Sequence, residues 1–228
     1  MTLVAVHQPN YAPWLGYFHK LARADVFVFL DDAQFSKGSY TNRVQVLLGG
    51  KPRWLTVPVS QTLGTPINRV AIARDDWARA HLDSLHAGYR DAAQFRIVWP
   101  DIEDIYAGLP YGSLAQVNAA LVARLASKLG ISTPTHVASD LGVADTARDD
   151  RLIALCRHFG GDVAYLSGRG GTKYQDESKF AAAGVPLHYT TFEIADYPQG
   201  GGAFVGGLSV LDAVFHLGWQ GTAELVTS

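Results

Sequence analysis

Val4–Arg43, VAVHQPNYAPWLGYFHKLARADVFVFLDDAQFSKGSYTNR, reads as strand, polar turn, helix, strand and polar loop. Leu3 to Val6 is a short apolar run that stops at a polar turn, as a buried parallel strand does. Pro13 suits a first helical position, and Trp14, Tyr17, Phe18 and Leu21 follow at the spacing of one helix face. Val26 to Leu30, VFVFL, has the length and residue types of a central strand. Two strands joined by one helix make a βαβ unit. The loops after both strands then emerge at neighbouring carboxyl ends, where open α/β sheets hold their ligands. Those loops carry His7, Gln8, Asn10, Tyr11 and Trp14, then Asp31, Asp32, Gln34, Lys37, Asn42 and Arg43.

The rest of the chain extends this unit. Val44 to Leu48 and Arg53 to Pro58 flank Gly49-Gly50, whose tolerance of positive φ predicts a hairpin. The sheet is therefore expected to be mixed. Ser60 to Pro66 reads as a polar flap and Val70 to Ala73 as a short strand. Trp77 to Tyr89 predicts a helix, whereas residues 91–112 predict only short helical turns. Ser113 and Gln116 form a capping box that opens a helix to Leu129, closed by Gly130. Asp149 to Phe159 is helical and stops at Gly160-Gly161. Val163 to Leu166 is a strand, Asp176 to Ala183 a helix and Val185 to Thr190 a strand. After a glycine-rich loop from Tyr197 to Gly207, Ser209 and Asp212 open a last helix that ends at Gly218. There is no internal repeat and no long linker. The expectation is one Rossmann-like three-layer α/β domain over residues 1–228. Its sheet is mixed and mainly parallel, with a hairpin insertion and a helical insertion at about 74–130.

Composition narrows the class. A chain of 228 residues buries enough surface to need no covalent staple. Cys156 is its single cysteine, so no intramolecular disulfide forms and a reducing, cytoplasmic setting fits. The net charge of −2 leaves no electrostatic footprint for nucleic acid or an anionic membrane. The N-terminal MTLVAVHQPN lacks the pattern of a signal peptide, and no apolar run has the length of a spanning helix.

Each candidate residue has a chemical and a structural reading. His7 at a strand end serves as general acid, general base or anion donor, or else simply bonds to backbone. Gln8 and Asn10 add amide donors and acceptors, and Asn10 also suits a turn. Tyr11 and Trp14 either stack on a ligand or bury against the sheet. Asp31 and Asp32 can hold a cation or a substrate amine, but adjacent strand residues point to opposite faces, so one is expected to be functional and the other structural. Lys37 and Arg43 can bind phosphate or carboxylate, or stand as ordinary exposed charges. Ser167 to Tyr174, SGRGGTKY, follows a strand, so its backbone N–H groups can cradle an anion, with Ser167, Gly168, Lys173 and Tyr174 as contacts. It lacks the order of a P-loop. Cys156 shares an apolar helix face with Leu152, Leu155 and Phe159, which favours a buried structural thiol over a nucleophile. No H-x-x-x-H, C-x-x-C or G-x-S-x-G pattern is present, so no metal site is expected.

Five segments resemble the WbqC-like family: HQPNYAPWLGYFHKLARADVFVFLDDAQFSK, TNR, WLTVPV, AYLSGRGGTKY and LSVLDAVFHLG. The resemblance implies a role in bacterial O-antigen and related polysaccharide clusters, as a glycine transferase acting on an amino sugar. A remoter likeness links the strand, turn and Trp14-Leu15-Gly16-Tyr17 to the HxGH element of the nucleotidyltransferase and pantothenate-synthetase superfamily, with SGRGGTKY in the place of its late basic loop. That likeness implies ATP as cofactor. Trp14 and Tyr17 replace the two histidines, however, and neither supplies the imidazole N–H that contacts phosphate, which weighs against ATP and leaves both as substrate contacts.

These readings converge on an amide-forming acyl or aminoacyl transferase. His7 is the base, Asn10, Gln8 or a backbone N–H stabilises the oxyanion, and Asp31 or Asp32 anchors an amine or amino-sugar acceptor. Arg43 or Lys37 takes an anionic group on the donor. A thioester donor implies coenzyme A or an acyl carrier protein as partner. The alternatives are an ATP-dependent nucleotidyltransferase or ligase, and a sugar-binding protein without turnover.

Overall fold

A computed structural model describes residues 1–143 and 148–228. Strand β1 (Thr2–His7) leads through a turn to helix α1 (Leu15–Arg23) and strand β2 (Val26–Phe29). The hairpin β3 (Arg43–Leu48) and β4 (Lys51–Thr56) follows, then the short strands β5 (Val59–Ser60) and β6 (Ala71–Ile72). Helices α2 (Trp77–Tyr89), α3 (Phe95–Ala107) and α4 (Leu114–Lys128) come next. Strand β7 (Thr135–Val137), helix α5 (Asp149–His158), strand β8 (Val163–Ser167), helix α6 (Glu177–Ala182), strand β9 (Leu187–Tyr189) and helix α7 (Val210–Thr227) complete the order.

The central sheet runs β7-β2-β1-β8-β9, and every neighbouring pair is parallel. The path steps outward from β1 to β2 and β7, then returns to the other side of β1 for β8 and β9. The gap between β1 and β8 is therefore the topological switch point, where a crevice opens at the carboxyl ends. Alternate residues serve opposite faces. Ala5, Phe27 and Phe29 join the core that contains α1, α7 and the helices α2 to α4. Val4, Val6 and Val28 join a second core with Leu155, Cys156 and Phe180. The result is the expected three-layer Rossmann-like α/β fold.

Antiparallel pairing is present but segregated. The β3–β4 hairpin and the β5–β6 pair are separate two-stranded ribbons and do not extend the central sheet. Gly49 and Gly50 take φ of 60° and 71°, the left-handed pair that a two-residue hairpin turn requires.

Four elements depart from expectation. Helix α1 starts at Leu15, with Trp14 as its N-cap and Pro13 ahead of it, because Ala12 takes a φ of 39° and holds the chain out of the helix. The start of α7 pins that turn: Ser209 Oγ donates to the Ala12 carbonyl at 2.7 Å, and the Val210 N–H to that of Pro13 at 2.9 Å. Residues 95–107 form one helix despite Pro100. Its buried face of Phe95, Val98, Ile102, Ile105 and Tyr106 offsets the lost hydrogen bond, and the carbonyl thus freed, on Arg96, sits in an exposed residue. Gly218, with φ 74° and ψ 178°, ends one helical segment as expected, but the chain turns helical again and continues to Thr227. Among the described residues strand β7 pairs with β2 alone, and no local sequence pattern marks it. Among the described residues no helix is long and apolar enough to cross a membrane.

Candidate functional site

A cleft of about 1370 Å³ opens at the carboxyl ends of β1, β2 and β8. His7 closes β1 and Ser167 closes β8, so the switch point forms its centre. Val6, Lys20 and Tyr165 lie in its lining, and the segment from Gly168 to Gln175 forms one wall.

His7 is held by its own turn. Its Nδ1 lies 3.0 Å from the Gln8 carbonyl, which only accepts, so Nδ1 carries the proton and Nε2 keeps a lone pair. The Tyr17 hydroxyl donates to the same carbonyl at 3.0 Å, and the Tyr17 ring meets the imidazole edge-on at 4.7 Å. Burial, helped by the charge of Lys20, lowers the His7 pKa to about 4 and keeps it neutral at pH 7.

Lys20, on α1, is 4% exposed. Its Nζ donates to the Val6 carbonyl at 2.8 Å and stands 5.8 Å from the centre of the Tyr165 ring. Burial lowers its pKa to about 7, so a large share of it is free amine at neutral pH. The Cys156 thiol is buried and pushed up to about 12 by desolvation, the behaviour of a structural cysteine.

The two adjacent aspartates part company. Asp32 lines the cleft and pairs with Nη2 of Arg151 at 2.5 Å, while burial still pulls its pKa upward against that cation. Asp31 turns away from the cleft. Its carboxylate accepts from Asn68 Nδ2 at 2.9 Å, from the Ser139 N–H at 3.0 Å and from Ser139 Oγ at 2.7 Å. It fastens the end of β2 to the turns that follow β5 and β7, and the assignment of a catalytic part to it is corrected accordingly.

The glycine-rich segment forms a 3-10 turn over Arg169–Lys173. Gly171 is demanded by packing, because a Cβ there would fall 2.2 Å from Ser167 Oγ and 2.4 Å from Gln175 Oε1. Gly16 is demanded by Trp14, whose indole would lie 2.3 Å from an added Cβ. Trp14 is 38% exposed, lines the cleft and meets Phe192 edge-on at 5.9 Å. Around the cleft stand five cations, Lys20, Arg148, Arg151, Arg169 and Lys173, against two acids, Asp32 and Asp149. A chain of net charge −2 thus presents a positive cavity, which favours an anionic ligand.

Of the residues proposed from sequence, His7, Gln8, Trp14, Tyr17, Asp32, Ser167, Gly168, Lys173 and Tyr174 meet in this cleft. The others lie elsewhere. Tyr11 is buried, with its hydroxyl 2.7 Å from His81 Nδ1 and 2.5 Å from the Tyr106 hydroxyl, so its structural reading prevails. Asn42 is buried and donates to the Val57 carbonyl at 3.1 Å. Asn10, Gln34, Lys37 and Arg43 lie outside the lining, and Arg43 stacks on Trp54 at 4.2 Å. The sequence reading passed over Lys20, Arg148, Arg151 and Arg169. Arg169 sat inside the glycine-rich segment, and Lys20 was signalled only by a charge among the apolar residues of α1. Among the described residues no cluster of three His, Cys, Asp or Glu is arranged to hold a metal ion.

Fold and site define a parallel α/β protein with a cationic ligand cleft at its switch point. The chain belongs to the WbqC-like protein family, which it matches over residues 8–224. It is similar to "Uncharacterized protein Rv1507c" of Mycobacterium tuberculosis (strain ATCC 25618 / H37Rv), at 33% identity over 222 residues, 96% of this chain and 95% of that protein.

Proposed function

We propose that the cleft transfers an acyl or aminoacyl group, glycyl among the candidates, from a phosphate-bearing thioester to the amine of a small acceptor such as an amino sugar. The observation that carries this reading is the buried Lys20 amine, its pKa lowered by burial, in the lining of a cavity that also holds Arg148, Arg151, Arg169 and Lys173. Proton acceptors work best with a pKa near the working pH, which fits Lys20 at about 7 better than His7 at about 4. The acceptor ammonium gives one proton to the free amine of Lys20. Its nitrogen then bonds to the thioester carbonyl carbon while His7 Nε2 accepts a hydrogen bond from it. The C–S bond breaks with its electron pair on sulfur, and the thiolate takes the second nitrogen proton. Lys20 releases the first to solvent.

Gln8 suits the developing oxyanion. Its Oε1 accepts from the Thr41 hydroxyl at 3.4 Å, leaving the amide N–H groups to donate. Such a donor is worth about 10²–10³ in rate. Arg169, Lys173 and Arg148 at the rim suit the phosphates of coenzyme A or of a carrier's phosphopantetheine arm. A cytoplasmic setting, where such thioesters are made and O-antigen sugars are assembled, suits this reading.

The position of the cleft favours one further reading, a nucleotide-using transferase or ligase, since switch-point crevices of this fold class bind nucleotides. Calorimetry with coenzyme A and with ATP–Mg²⁺ separates the two. Coenzyme A binding that weakens about tenfold in Arg169→Ala/Lys173→Ala supports thioester transfer. ATP–Mg²⁺ binding, with none by coenzyme A at about millimolar concentration, replaces it with the nucleotide reading.

A further inference from the structure

Lys37 and Arg43, two cations read from the sequence as donor contacts, lie by the β3–β4 ribbon and away from the cleft. There the Arg43 guanidinium carbon stands 4.2 Å over the Trp54 ring, and Tyr40 lies 5.9 Å from the same indole. Both aromatics are open to solvent, Tyr40 at 53% and Trp54 at 41%. Gly38, at φ +73°, tucks under the stack, where a Cβ would lie 3.2 Å from the guanidinium. Strand alternation puts Arg43 and Trp54 on the outer face, opposite Val44, Val46 and Leu55, which enter the core.

The charge around this face is one-sided. Residues 33–74 hold six of the chain's 19 Lys and Arg and none of its 21 Asp and Glu. Among the described residues Lys37, Arg43, Lys51 and Arg53 make no ion pair. Among the described residues the outer edge of β4 has no strand partner. Trp, Tyr and Arg are the side chains that dominate protein–protein hot spots, and unneutralised charge of one sign steers a partner of the other. The ribbon is also rooted at the cleft. Thr41, two residues before β3, reaches Gln8 of the cleft lining at 3.4 Å.

We propose that the Tyr40–Arg43–Trp54 face docks an acidic protein, the carrier that delivers the thioester donor to the cleft, an assignment that rests on the transferase reading above. A carrier seated there stands beside the Gln8 side of the cleft, so its prosthetic arm has a short way to enter. The hydrophobic, hydrogen-bonding aromatics favour a folded protein surface over a bare phosphate chain.

The test titrates the full chain with a purified acidic holo-acyl carrier protein at about 50 and about 300 mM salt, beside the exposed-residue variants Trp54→Ala and Lys37→Glu/Tyr40→Ala. The expected result is binding that weakens with salt and falls by about tenfold or more in each variant, with unchanged melting temperature and unchanged coenzyme A affinity. Absence of carrier binding at about millimolar concentration overturns the assignment, as does equal binding by wild type and variants. An oligonucleotide that binds the wild type more tightly than the carrier does, and is lost in the same variants, reassigns the face to nucleic acid. A concentration-dependent dimer abolished by the variants reassigns it to a second copy of this chain. Carrier binding on the ribbon, with neither coenzyme A binding in the cleft nor acyl transfer from a loaded carrier to an amine, leaves an acidic-protein docking face standing and removes the transferase reading.

Discussion

The carboxyl ends of β1 and β2 are neighbours in one sheet, yet their polar groups are used in opposite ways. At the end of β1, His7 and the nearby Lys20 are stripped of water and given few partners, so both sit far from their ordinary ionisation. At the end of β2, Asp31 is also buried, but three donors satisfy its carboxylate. Desolvated ionisable groups are costly, and a fold keeps them mainly where chemistry or binding repays the cost. Satisfied groups of the same polarity hold loops in place. The difference separates the site from its scaffold more sharply than residue type does.

The largest effect belongs to Lys20. An unfolded lysine titrates at 10.5 and the folded one near 7. Between those values the unfolded chain binds the extra proton, so stability rises with pH across that window. Below pH 7 both states hold the proton and the full cost, on the order of 5 kcal/mol, is present. Lys20→Met removes this dependence. Urea unfolding at pH 6 should find the variant more stable than wild type by a few kcal/mol, less about 1 kcal/mol for the unpaired Val6 carbonyl. The gap should close as pH is raised toward 10. The same variant should lose about 10²–10⁴ of the transfer rate if Lys20 is the base. Parallel stability curves for the two proteins from pH 7 to 10 would show that Lys20 is not desolvated, and the contrast with Asp31 would collapse.

Asp31→Ala comes next. It leaves Asn68 and Ser139 without their acceptor and unties the end of β2 from two turns. The expected loss is about 2–3 kcal/mol, read from the denaturant midpoint, because charge-assisted bonds are removed while their donors keep some access to water. Coenzyme A affinity should be retained by whatever fraction stays folded. A variant of wild-type stability with lost ligand binding would move Asp31 back into the site.

Much of this arrangement was legible beforehand, and the reasons it stopped being so are physical. Apolar runs marked β1, β2 and β8, because parallel strands buried on both faces have little polar alternation. Gly49-Gly50 and the Ser113–Gln116 box are local signals, and the hairpin and α4 form as read. Strand β7 is three residues long and gains its identity from β2, so no local pattern announces it. Pro100 disfavours α3 locally, and the buried face of that helix outweighs it. At the site, strand ends pointed to His7, Gln8 and the segment from Ser167, since switch-point geometry places those whatever the surroundings. Lys20 could not be assigned a role, because its desolvation depends on tertiary packing above Val6 and Tyr165. Period-two alternation predicted that Asp31 and Asp32 diverge. Which one faces the cleft is decided by Ser139 and Arg151, each more than 100 residues away along the chain.

The smallest effect sharpens the same contrast, one position further on. Asp32 is partly exposed and bonded to Arg151, but burial raises its pKa in spite of that cation. A carboxylate whose folded pKa is raised binds more protons folded than unfolded just above pH 3.8, so stability falls as pH rises through that window. At pH 7 the ionised group therefore gains its ion pair and carries a desolvation cost of opposite sign. Asp32→Asn keeps the shape and a hydrogen-bond acceptor for Arg151 while discarding the charge. The two terms nearly cancel, and the stability change should stay within about 1 kcal/mol. Ligand binding should respond more. Neutralising one of the two acids beside five cations makes the cleft more positive, so an anionic donor should bind a few-fold more tightly at low salt, and an amine acceptor held by Asp32 more weakly. A loss of stability as large as that of Asp31→Ala would mean that Asp32 too is scaffold, and would leave Lys20 and His7 as the desolvated pair on which the site depends.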